Sequence, residues 1–110
     1  MKHIIYDGNT WLVGDETAEV VVAYALLLAH KETADSVDIL VYDINGDRRW
    51  VTLLIGPASM MTVETSSSTL DAPDNTDPIA RIRERMRQIT SPPSALPGDP
   101  GEPSYLDDLP

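Results

Sequence analysis

The chain has 110 residues, enough for one domain and too few for two, and its lack of cysteine excludes disulfides, zinc ribbons, thiol nucleophiles and iron–sulfur clusters. Eight Lys and Arg against 18 Asp and Glu give a net charge of −10, which disfavours nucleic acid as a partner because phosphate contacts need a cationic footprint. Hydrophobic residues make up 42% but aromatics only 5%, with no Phe, so the core must be built from Val, Ile, Leu, Ala and Met.

The charge divides the chain into regimes. Residues 1–65 carry −6, residues 66–90 are neutral, and residues 91–110 carry −4 with no base at all. Residues 1–8 lack the apolar run and small-residue cleavage site of a secretory signal. The longest apolar stretch, residues 20–29, is about half of the ~20 residues that a bilayer crossing requires. A soluble, cytoplasmic protein with no membrane partner is therefore expected.

Residues 2–7 and 10–13 read as two strands around Asp7-Gly8-Asn9, where Gly and Asn tolerate positive φ. Asp15 is a natural N-cap for a helix over about 16–30, with Glu16 and Glu19 at the positive end of its dipole. Val20 to Ala29 leave no polar stripe through its centre, which predicts cover on more than one side. Strands follow at 37–42 and 50–55, joined by a loop containing Asn45-Gly46, the strongest hairpin signal in the chain. Ile39-Leu40-Val41 and Leu53-Leu54-Ile55 are continuous rather than alternating, the pattern of strands covered on both faces. Gly56-Pro57 breaks the run, and 59–64 alternates as a fifth strand on a sheet edge.

Residues 1–65 thus form an α+β core, 66–76 a polar linker, and 77–90 an amphipathic helix with Asp77 as N-cap and Pro78 at its first position, where a missing N–H costs nothing. Ile79, Ile82, Met86 and Ile89 make one apolar stripe, with Arg81, Arg83, Arg85 and Arg87 around it. Residues 91–110 hold six prolines, two glycines and four acids, so a disordered acidic tail is expected.

No run of residues carries a catalytic or cofactor signature. His3 and His30 fall in a strand and at a helix end, where ordinary structural roles suffice. The serines at 66–68 lack the context of a strained nucleophile elbow. The acidic loop from Asp43 has Gly at its fourth position and Leu54 at its twelfth, whereas a calcium-binding helix-loop-helix needs Gly at the sixth and Glu at the twelfth. No dinucleotide or phosphate-binding glycine motif occurs. Asp15 and Glu19, one helical turn apart, are explained by capping and the dipole. No catalytic residue, metal or cofactor is assigned.

The run from Tyr6 to Asp15 before an apolar helix, the strand ending Leu53-Leu54-Ile55-Gly56-Pro57, and Asp74-Asn75 ahead of an Arg-rich helix resemble a group of short actinobacterial proteins of unknown function. The resemblance covers about the first ninety residues, implies no activity, and carries over no functional residue.

The expected fold is a five-stranded, mostly antiparallel sheet in the order ββαβββα. The long apolar helix lies on one face and the 78–89 helix on or near the other. If that second helix leaves its sheet face open, a homodimer is expected to cover it, because monomers rarely expose a large apolar patch. The leading functional reading is a non-catalytic interaction or accessory module for an unidentified protein partner. It would present Arg81, Arg83, Arg85 and Arg87, or Tyr105, Leu106 and Leu109 of the tail. The alternative is a small-molecule binder or enzyme with a pocket between the long helix and the sheet near Trp11, Tyr24 and Trp50.

Overall fold

The computed structural model describes residues 1–90. The expected acidic tail, with Tyr105, Leu106 and Leu109, lies outside the described residues. Strand β1 (Lys2–Tyr6) turns back into β2 (Asn9–Val13) through Asp7 and Gly8 alone, since Tyr6 is already opposite Asn9. Both turn residues have positive φ, 52° and 79°, as a two-residue hairpin matched to the strand twist requires.

Helix α1 (Asp15–His30) begins one residue earlier than expected. Gly14 is its cap and makes no side-chain bond, so Asp15 is a first-turn acid facing the positive helix end rather than the N-cap. The helix stops in a left-handed residue, Glu32 at φ 55°. There the Glu32 N–H donates to the Ala29 carbonyl and the Thr33 N–H to the Leu28 carbonyl, satisfying two end carbonyls that the helix leaves open.

Strands β3 (Asp35–Tyr42) and β4 (Arg48–Ile55) pair along their whole length, from Asp35 opposite Ile55 to Tyr42 opposite Arg48. Their loop is wider than the Asn45-Gly46 signal implies. Asp43 organises it: the Gly46 N–H donates to the Asp43 carbonyl, the Asp43 carboxylate accepts the Asn45 and Asp47 N–H groups, and only Gly46 has positive φ. Strand β5 (Met61–Thr65) pairs with β1, and α2 (Thr76–Thr90) closes the described fold.

The sheet order is β4-β3-β2-β1-β5, with every neighbouring pair antiparallel. β2 meets β3 where Leu12 faces Tyr42, so the rest of β3 runs on past the end of β2. Tyr6 and Leu54 then lie on opposite sides of that meeting point, ~30 Å apart along the strands if the sheet were flat. Instead the Tyr6 hydroxyl donates to the Leu54 carbonyl. The sheet is therefore strongly coiled, its outer corners meet, and residues 56–60 suffice to connect β4 to β5.

The coiled sheet has one filled side. Ile4, Val13, Val37, Ile39, Val41, Leu53 and Ile55 point into its concave face and pack with Val21, Tyr24 and Leu28 of α1 and Ile79 and Ile82 of α2 in one cluster. Both helices therefore serve the same core, and α2 does not cover a second sheet face. Leu54 is 68% exposed, so the run Leu53-Leu54-Ile55 does not mark a strand buried on both sides, while in the run Ile39-Leu40-Val41 the convex-facing Leu40 is half-buried. Nor is α1 covered all round: Glu19, Ala23, Leu26 and His30 form an exposed stripe at helical spacing, with Leu26 at 67%.

Residues 66–75 pack on the body rather than hanging as a linker. The Asp71 carbonyl accepts the Tyr42 hydroxyl, and Ala72 sits where a Cβ on Gly14 would come within 3.0 Å. Asn75 is 3% exposed, and its carbonyl accepts the Ile79 N–H, so the helix is entered from Asn75 rather than capped by Asp77.

Candidate interaction surface

Beyond the end of β2, the backbone of β3 has no strand beside it, and Asn75 and the helix α2 that follows it supply the missing partners. The Asn75 side chain accepts from the Leu40 N–H at 2.7 Å and donates to the Leu40 carbonyl at 2.8 Å, as a neighbouring strand would. Four residues away, Arg85 donates to the Ser36 carbonyl at 2.8 Å. These bonds fix the phase of the ladder. Even-numbered residues of β3 turn their N–H and C=O groups toward α2, so odd-numbered ones pair with β4.

By the same alternation, Arg48, Trp50, Thr52 and Leu54 of β4 direct their backbone groups away from β3, onto the outer edge of the sheet. The Leu54 carbonyl is taken by Tyr6. Among the described residues no strand lies on that side of β4, which leaves the N–H and C=O groups of Arg48, Trp50 and Thr52 without a ladder partner. The other edge differs: β5 is five residues long, and the side chains it turns to the convex face are Thr62 and Glu64. A short edge bearing a charge resists adding a strand, whereas an eight-residue edge bearing a large apolar side chain invites one.

Side chains alternate the same way. Trp50 and Leu54, 63% and 68% exposed, stand on the convex face with Arg48 and Thr52 between and beside them. Trp50 is opposite half-buried Leu40, and the Thr52 hydroxyl donates to the Asp38 carboxylate at 2.5 Å. The convex side of β4 thus carries an apolar pair, with a cation at one end and a carboxylate one strand inward.

The residues expected to form a pocket do not converge. Trp11 is on the concave face, Trp50 on the convex face, and Tyr24 is 1% exposed inside the core. The Tyr24 hydroxyl donates to Asp35 at 2.5 Å, and Arg85 donates to the same carboxylate at 2.9 Å, which ties α1, β3 and α2 together. Burial, followed by this bond to a carboxylate, pushes the Tyr24 pKa up to about 12. Burial acts to raise the Asp35 carboxyl, but Tyr24, the Ser36 N–H and Arg85 together hold it below the usual range. With its oxygens engaged in this way, the cluster is a three-element tie. A cleft of about 570 Å³ lies between Tyr6, Ala34, Leu54 and residues 56–59, where the Tyr6 and Ser59 hydroxyls are 3.2 Å apart.

The arginine helix is largely engaged with its own chain. Arg83 pairs with Glu16 at 2.8 Å, Arg85 with Asp35, and Arg87 with Glu84 of the same helix at 2.6 Å. Arg81 makes no ion pair among the described residues. Among those residues no group of three or more His, Asp or Glu side chains is placed to hold a metal ion, and no helix is long and apolar enough to cross a membrane. Comparison with protein-family models, curated proteins and solved structures found no match.

Leu54 and Thr52 were missed as surface residues. Their signal is the alternation of Arg48, Trp50, Thr52 and Leu54 with Val51, Leu53 and Ile55, which the run Leu53-Leu54-Ile55 hides.

Proposed function

We propose that this chain is a non-catalytic protein-interaction module that receives an extended strand along the free edge of β4. The observation that carries this reading is the row of backbone groups at Arg48, Trp50 and Thr52 that have no ladder partner among the described residues, beside an indole that is 63% exposed. In strand addition, main-chain bonds supply affinity and the alternate side chains supply selectivity. Trp50 and Leu54 are the apolar anchors, and Arg48 sets a preference for an acidic group beside them. The arginines of α2 hold the body together in this reading, with only Arg81 unpaired among the described residues.

The test is capture from native lysate by the tagged full chain, by a Trp50→Lys variant, and by a chain ending at Thr90. The proposal expects a partner that is lost with Trp50→Lys and kept by the shortened chain. A partner kept by Trp50→Lys but lost on shortening contradicts it and moves the contact to residues 91–110.

A further inference from the structure

We infer that the strand received by β4 is β4 of a second copy, antiparallel, with Trp50 facing Trp50 across a two-fold axis. This rests on β4 being the strand-receiving edge and names its occupant. The register follows from which backbone groups are free. Paired residues must share a sheet face, so an even-numbered residue of one copy faces an even-numbered residue of the other. The Leu54 carbonyl is taken by Tyr6, which leaves Arg48, Trp50 and Thr52 as the residues with both backbone groups open among the described ones. The arrangement that satisfies all three without calling on Leu54 places Trp50 against Trp50, Arg48 against Thr52, and Thr52 against Arg48.

Charge supports that register. Arg48 of one copy lies beside Thr52 of the other, and Thr52 is bonded to Asp38 on the same face. The Arg48 and Asp38 backbones are then two strand spacings apart, ~10 Å, which an arginine and an aspartate span between them. The two-fold axis repeats this pairing, so one interface holds two complementary contacts around a central pair of indoles. It also sets the two exposed Trp50 indoles side by side, so each shields part of the other from water. The product is one continuous ten-stranded sheet, five strands from each copy.

The absence of cysteine makes the register testable, because a single introduced thiol can bridge only to its own mate. Residues facing each other in a hydrogen-bonded antiparallel pair have Cα atoms ~5.5 Å apart, within disulfide reach. Trp50→Cys is therefore expected to give a covalent dimer on mild oxidation of the full chain. Thr52→Cys stands ~13 Å along the strands from its mate and is expected to give none. In the unsubstituted chain, light scattering is expected to give twice 12.1 kDa as concentration rises. Arg48→Asp should weaken the dimer about tenfold, and adding Asp38→Arg should restore it. Cross-linking by Thr52→Cys in place of Trp50→Cys overturns the register. A 12.1 kDa mass at every concentration overturns the second copy. If that monomer still loses a captured partner with Trp50→Lys, the strand-receiving edge stands and only its occupant is wrong.

Discussion

Asn75 shows how much one side chain can carry. Its amide replaces a strand over one residue of β3, donating and accepting at Leu40 while buried to 3% exposure. Asn75→Asp keeps the size but loses the donor and sets a carboxylate against the Leu40 carbonyl. It is expected to lower stability by about 2–3 kcal/mol, read from urea unfolding, with Asn75→Ala close behind, because a buried polar group left unpaired costs its desolvation. No change in the Asn75→Asp midpoint would contradict this. Tyr24 and Asp35 set the pH limits. Asp35 is depressed, so its contribution is complete above the ordinary carboxylate value of ~3.9 and is lost as pH falls through its folded value. Tyr24 is raised, so its contribution is complete below the ordinary ~10 and is lost as pH rises toward about 12. In thermal melts across pH, Tyr24→Phe should flatten the alkaline fall and also shrink the acid one, because the Tyr24 hydroxyl is the first of the contacts that depress Asp35. An unchanged alkaline limb would count against the Tyr24–Asp35 bond.

Among the elements, the sequence makes legible those set by local chemistry. Gly8 marks the first turn and residues 50–55 fall within β4, because turn stereochemistry and period are local properties, while Pro78 stands third in α2 rather than first because Asn75 starts the helix two residues earlier. What remained hidden depends on partners distant in sequence. The run Val20 to Ala29 is apolar throughout, so its pattern could not say that Ala23 and Leu26 face outward. Residues 66–76 look like a linker by composition, yet Asn75 and Pro73 are buried because β3 outruns β2 and needs neighbours. Arg83 and Arg85 look like a solvated or partner-seeking face, and their engagement with Glu16 and Asp35 depends on where α2 lands. The same holds for the candidate site. Trp50 was visible as an isolated aromatic, but that it borders a free edge follows only from the strand order.

For the molecule as a whole, the asymmetry of the sheet is the central feature. One face is filled by two helices, one edge is short with Glu64 on its convex face, and the opposite edge is long, bears exposed Trp50 and Leu54, and is unpaired over three residues among the described ones. Monomeric proteins usually blunt such an edge or pair it. Here Tyr6 blunts only the Leu54 end. The most direct measurement is residue-resolved amide exchange on the full chain at low and high concentration. The account predicts that Arg49, Val51 and Leu53, bonded to β3, are protected at both, while Arg48, Trp50 and Thr52 exchange freely when dilute and become protected when concentrated. If Arg48, Trp50 and Thr52 stay unprotected at every concentration, or if the six amides behave alike, β4 is not the edge through which this protein associates with itself.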